Sequence, residues 1–239
     1  MPDLTVIAID WSGRKSNDQV HHIRSAVASN AGIEVWADLT RAAVIDELLD
    51  IAPPVVVGFD FAFGFPSWVG EYHVCSHGPD LWPIVGAASE EWLAQCPPPF
   101  FGKAGTTRPP GVELFRGCDT RERAKSVFQI AGAGHVGTGS LRGMPLLRVL
   151  REAGYAVWPF DDANDRTIVE IYPTRLRDIA HSVELSRRLR AMYANDNTRD
   201  AVASACVMWE HRASFATLVA ATDPVTRIEG DVWTPSSSP

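Results

Sequence analysis

The chain has 239 residues, 46% hydrophobic, 21% charged and 9% aromatic, which excludes intrinsic disorder and suits one large domain or two small ones. Its 22 basic and 29 acidic residues give a formal charge of −7. That argues against non-specific coating of nucleic acid, though not against a local basic groove.

Four cysteines, Cys75, Cys96, Cys118 and Cys206, stand far apart without a C-x-x-C pair, the pattern of reduced thiols. The start, Met1-Pro2-Asp3-Leu4, carries an acid where a signal peptide carries lysines. The most apolar stretch, Ile51 to Pro66, is broken by Asp60 and by prolines and does not suit a membrane span. These features predict a soluble cytoplasmic protein with no membrane partner.

In chain order, Thr5 to Asp10 is a short apolar run ending on an acid and predicts a buried strand. Gln19 to Ala28 and Ile33 to Ala37 are weaker strand candidates around the turn signal Asn30-Ala31-Gly32, so the first 38 residues read as an antiparallel meander. Thr40 caps a predicted helix whose apolar face is Val44, Ile45, Leu48, Leu49 and Ala52, and Pro53-Pro54 stops it. Val55 to Asp60 is a second buried strand ending on an acid. Residues from about 64 to 126 are dense in Pro, Gly, Trp and Phe, with little periodicity except at Glu90 to Leu93. They read as a loop-rich insertion packed on the core, because their aromatics would otherwise be exposed. A glycine-rich stretch, Gly132 to Gly139, precedes a helix from about Leu141 to Ala153 that Gly154 closes. Tyr155 to Phe160 and Thr167 to Tyr172 read as strands, and Thr198 as the cap of a last helix reaching about Ala221. The order fits a single α/β domain of the ribonuclease-H-like type: a mixed sheet with flanking helices.

Four carboxylates stand out. Asp10 and Asp60 end strands whose C-terminal ends would lie roughly 5 Å apart in a parallel pair, on the edge where open α/β sheets bind ligands. Glu170 interrupts the apolar run Ile168 to Tyr172, a costly position unless the charge is paired or holds a metal. Asp200 falls in the expected first turn of the last helix, where the helix dipole also favours an acid. Each has an ordinary structural explanation: turn former, cap, or buried partner of an arginine. All four at one sheet edge would suit one or two Mg²⁺ or Mn²⁺ ions and metal-assisted phosphodiester hydrolysis.

Several segments carry a resemblance. Ile7 to Gly13, Gly58 to Pro66, Lys125 to Gln129, Gly134 to Ser140, Val157 to Asp161, Val169 to Pro173 and Ile228 to Gly230 resemble, in content and order, the uncharacterised family of predicted RNase-H-like nucleases, domain of unknown function 429. The resemblance runs nearly end to end and implies a ribonuclease-H-like fold, a nuclease activity, and Asp10, Asp60, Glu170 and Asp200 as catalytic metal ligands. One departure is that Arg199 stands before Asp200, where members of the family tend to show a histidine.

Gly132 to Gly137 satisfies G-x-G-x-x-G by letter, but the preceding residues make a poor strand and the motif lies mid-chain, which counts against a dinucleotide site. A glycine-rich loop entering a helix still suits a phosphate. Gly134, His135, Gly137 and Ser140, with Ser12, Gly13 and Lys125 from the other matched segments, are therefore the expected substrate contacts. His73, Cys75 and His77 alternate like a soft-metal clip but have no second cluster. Residues 102–126 and 174–199 each carry a net charge of +3, which would hold a polyanion if both flank the acids.

The expected partner is nucleic acid or another phosphate-bearing substrate. Two alternatives compete: a nucleotide-dependent phosphotransferase of the actin-like or sugar-kinase type, since Asp10 to Gly13 resembles their first phosphate loop, and a non-catalytic binding module.

Overall fold

The apolar run Thr5–Asp10 forms strand β1 at the centre of a six-stranded mixed sheet in the computed structural model. The structure describes residues 4–15, 23–36, 39–132, 135–179 and 192–235. Strand β2 (Arg24–Ser29) pairs antiparallel with β1, and β3 (Gly32–Trp36) antiparallel with β2, so the meander forms as expected. Residues 19–22 and 37 of the expected strands lie outside the described residues. Strands β4 (Val55–Phe59) and β6 (Arg166–Glu170) add in parallel beyond β1, giving the order β3-β2-β1-β4-β6-β5. The edge strand β5 keeps only Ala156–Val157 of the expected Tyr155 to Phe160. Asp161 ends it early, because its carboxylate accepts from the Val157 N–H at 3.0 Å and so folds the chain back.

Helix α1 (Arg41–Asp50) is capped as predicted, the Thr40 hydroxyl accepting from the Ala43 N–H at 3.0 Å. Its apolar face is narrower than predicted: Val44 and Leu48 are buried, Leu49 is largely exposed, and Ala52 lies past the helix end. The segment 64–126 holds more helix than its composition suggests: α2 (Ser67–His73), α3 (Trp82–Gln95) and α4 (Gly117–Glu122). Helix α3 buries Trp82, Val85, Ser89 and Leu93. This stripe is hard to see in the sequence because its members mix aromatic, aliphatic and polar side chains.

Helix α5 (Gly137–Glu152) begins four residues before the expected Leu141, so Gly137, Gly139 and Ser140 belong to a helical turn rather than to a loop. Its start is fixed by the Gly137 N–H donating to the Gln129 carbonyl at 3.0 Å. Gly154, at φ +96°, ends it as predicted. Helix α6 (Pro173–Ile179) follows β6 directly. Helix α7 (Asp196–Glu210) is capped by Asn195, whose side-chain oxygen accepts from the Asn197 and Thr198 N–H groups, so Thr198 is not the cap. A 3₁₀ turn at Arg212–Thr217 replaces the expected helical extension to Ala221, and α8 (Thr226–Glu229) is the last helix among the described residues.

Each sheet face has its own core. Ile7, Ile9, Val57, Phe59 and Ile168 pack with residues of α1, α3 and α5 on one side. Val6, Ala8, Ala26, Val56 and Val169 pack with α7 on the other. The alanines of β1, β2 and α7 let that helix approach closely, and Gly58 helps: a Cβ there would meet Met208 Sδ at 2.7 Å. Among the described residues no helix is long and apolar enough to cross a membrane.

Candidate functional site

The strand register sets the site. Ile9 pairs with Phe59 across the parallel β1–β4 ladder, and the Asp60 N–H donates to the Ile9 carbonyl at 3.1 Å. Asp10 and Asp60 therefore follow at the same level on neighbouring strands, on the C-terminal edge of the sheet. Asp10 is 9% exposed, and Asp60 is half-buried. Among the described residues no hydrogen bond or ion pair reaches either carboxylate. Burial pushes both up; Asp60 and Asp200 push Asp10 further, to about 9, and Asp200 pushes Asp60 further, to about 7. Glu170 adds to the repulsion on Asp60. Arg177 opposes these shifts at both carboxyls, and at Asp10 so does Arg24, its cross-strand partner on β2.

Asp200 sits in the second turn of α7, one turn later than expected, because the helix starts at Asp196. Its Oδ1 lies 2.7 Å from Arg177 Nη1 on α6, a charge contact rather than an aligned hydrogen bond. Burial raises its pKa, while Arg177 and Arg199 lower it. One turn further along α7, the Ser204 hydroxyl is fully buried without a partner among the described residues.

Glu170 is held elsewhere. It pairs in register with Phe59, not with Asp60, so it lies on the Phe59 side of the sheet. The guanidinium of Arg116, 1% exposed, grips both its oxygens at 2.6 and 2.8 Å, and the Phe63 N–H donates to Oε2 at 2.9 Å. Arg116 also binds Asp119 at 2.7 Å and the Glu229 carbonyl at 3.1 Å. Glu170 is thus the buried ion-pair partner that its apolar surroundings demand, with the arginine 54 residues earlier in the chain. The structure brings Asp10, Asp60 and Asp200 into electrostatic range and engages Glu170 with Arg116. Among the described residues no three His, Cys, Asp or Glu side chains gather closely enough to enclose an ion as they stand.

Beside Asp60 lies a cavity of about 380 Å³ lined by Trp11, Ser12, Gly13, Arg14, His135, Thr138, Gly139 and Arg142. Three of the expected substrate contacts, Ser12, Gly13 and His135, therefore share a wall with Asp60. The 11–14 loop is fixed there: Trp11 Nε1 donates to the Gly139 carbonyl at 3.1 Å, Arg41 to the Arg14 carbonyl at 2.6 Å, and Arg142 to the Gly13 carbonyl. Glu90 in turn holds Arg142 at 2.7 Å and Lys15 at 3.1 Å, and these contacts depress its carboxyl to about 2. His135 Nδ1 lies 2.7 Å from the Gly132 carbonyl, so this nitrogen carries the proton and Nε2 is left as the acceptor.

The other expected contacts play packing roles or stand apart. Ser140 is fully buried, accepts from the Ala62 N–H at 3.0 Å and donates to the Val136 carbonyl at 3.1 Å. Gly137 is required by packing, since a Cβ would stand 2.2 Å from the Val127 carbonyl. Lys125 is exposed and does not line the cavity. Gly134 lies outside the described residues. Gly13 is the tightest point of the loop, where a Cβ would come within 2.4 Å of backbone atoms of Thr138 and Gly139. Gly13→Ala is expected to cost about 2 kcal/mol, read as a fall in melting temperature of roughly 4–8 °C, because neither backbone can yield cheaply.

The remaining motifs resolve differently. His73, Cys75 and His77 form no clip: Cys75 faces the His73 carbonyl and Arg227 donates to His77 Nε2 at 3.0 Å. All four cysteines are free thiols. In the basic segments, Arg116 is buried, Arg121 pairs with Glu122 and Asp231, Arg175 with Glu122 and Arg199 with Asp196. Arg187, Arg188 and Arg190 lie outside the described residues.

The sequence assigned no individual role to Arg24, Arg116, Arg142 or Arg177, although Arg116 and Arg177 lie in the two basic segments and Arg24 lies opposite Asp10 across the β1–β2 pair. Compared with known proteins, the chain matches no family model, no curated protein and no solved structure.

Proposed function

We propose that the chain is a divalent-metal-dependent phosphodiester hydrolase on a ribonuclease-H-like fold, acting on nucleic acid or a smaller phosphodiester. The strand order supports the fold reading: an antiparallel β1–β2–β3 meander, with β4 and β6 added in parallel beyond β1. The observation that carries the activity is the level pair Asp10 and Asp60, two acids with strongly raised pKa values and no described hydrogen-bond donor. Hard carboxylate oxygens that repel one another fit Mg²⁺ or Mn²⁺, which would relieve the repulsion.

Asp10 and Asp60 would hold such a cation, with Asp200 completing the set, and the bound metal supplies an activated water and charge stabilisation at the phosphate. The chain's own residues supply position and charge. The clamped 11–14 loop and the first turn of α5 shape the cavity beside Asp60 for a phosphate-bearing group. His135, its Nδ1 proton held by Gly132, presents Nε2 to accept a proton or, once protonated, to donate to a phosphate oxygen. Glu170 supports the strand ends through Arg116.

The test is cleavage of a single-stranded oligonucleotide and of bis(4-nitrophenyl) phosphate with Mn²⁺, in wild type and Asp10→Asn. Activity in the wild type and a loss of at least about a hundredfold in the variant are expected. An inert wild type, or a variant that cleaves equally well, would remove the hydrolase reading and favour a binding module.

A further inference from the structure

Arg177 is the described cation that faces the whole acid cluster. It sits in the last turn of α6, directly after β6, and α6 packs on α7, so the fold brings its guanidinium over the end of the helix that carries Asp200. Nη1 contacts Asp200 Oδ1 at 2.7 Å, and Nη2 donates weakly to Thr174 at 3.4 Å. Its side chain stays 40% exposed, so the contact is open to exchange with solvent ions. The same charge acts on Asp10, Asp60 and Asp200 together. Arg24 and Arg199 have narrower reach: Arg24 acts on Asp10, and Arg199, tied to Asp196 and to the Tyr193 and Ala194 carbonyls, acts on Asp200.

From this geometry we infer that Arg177 is an exchangeable counter-ion: it holds Asp200 while the carboxylates lack a metal, and yields it when a divalent cation binds, freeing the guanidinium for a substrate phosphate. The inference rests on the metal reading above. It accounts for a feature the acids alone leave open, namely that Asp200 lies in range of Asp10 and Asp60 yet, among the described residues, no three carboxylates close around a common point. A guanidinium released a few ångströms from a metal site is well suited to bidentate contact with a phosphate.

The two roles give opposite signs in one variant. Arg177→Gln removes the competing charge, so Mg²⁺ affinity by calorimetry at about pH 8.5, where fewer carboxyl protons compete, is expected to rise about tenfold. The same change is expected to raise KM for bis(4-nitrophenyl) phosphate about tenfold, and more than it lowers kcat, because a phosphate contact is lost. Arg177→Lys keeps the charge and should keep Mg²⁺ affinity near wild type while still raising KM, since an ammonium lacks the bidentate fork. A merely structural arginine would weaken metal binding when removed. Wild-type Mg²⁺ binding with unchanged or weaker binding in Arg177→Gln would overturn the exchange alone. No Mg²⁺ heat in the wild type would overturn the metal reading and the exchange with it.

Discussion

Acidifying the metal-free protein from about pH 8.5 to about pH 5 is expected to raise its melting temperature by at least about 5 °C, the reverse of the usual carboxylate behaviour. The sign follows from the raised values at Asp10 and Asp60, to about 9 and about 7, against 3.8 for an ordinary aspartate. Between the unfolded and folded values the native state holds protons that the unfolded chain has released. Stability is therefore fully present near pH 4 and drains away as pH rises through 7 towards 9. Asp10→Asn imitates the protonated acid, so it should match the wild type only below about pH 4 and exceed it by about 2 kcal/mol or more near pH 8.5, with a flatter profile. Mg²⁺ or Mn²⁺ at millimolar concentration should flatten the wild-type profile in the same way, by binding the native state, and should do little to Asp10→Asn. Melting curves over this range, with and without metal, provide the check. A wild-type curve that falls on acidification from pH 8.5 to 5 would mean that the two aspartates are not the repelling pair described.

The second large effect is expected at Arg116. Its guanidinium is enclosed by Glu170, Asp119 and the Glu229 carbonyl. Arg116→Met would leave two buried carboxylates unpaired and is expected to cost about 3–5 kcal/mol, visible as a large drop in the denaturant midpoint. Glu170→Gln should also destabilise, because a charged bidentate pair is broken. It should nevertheless leave the Mg²⁺-induced rise in melting temperature intact within experimental spread, since both Glu170 oxygens already have partners. Loss of that metal response in Glu170→Gln, with its fold retained, would restore Glu170 to the metal set as the sequence suggests.

Much of the scaffold was legible from local signals. The apolar runs that became β1 and β4, the turn at Gly32, the Thr40 cap and the glycine that ends α5 each depend on residues within a few positions of one another. The placement of Asp10 and Asp60 at strand ends was legible for the same reason, as two hydrophobic runs stop on an acid. What failed locally was α3, whose buried stripe mixes residue types, and the start of α5, which is set by backbone contacts to residues 127–130.

By itself, then, the amino-acid sequence determined the sheet strands, the helices α1, α5 and α7 in outline, and that two acids end adjacent-looking strands, because period, capping and chain reversal are short-range physics. Only the tertiary structure decided what those acids face. Whether Glu170 joins them depends on a one-residue register between β4 and β6, and on an arginine 54 positions away that the insertion folds into the core. Whether Asp200 joins them depends on a short helix that carries Arg177 over it. Register and long-range charge pairing are set by packing the whole sheet, and no local pattern encodes them.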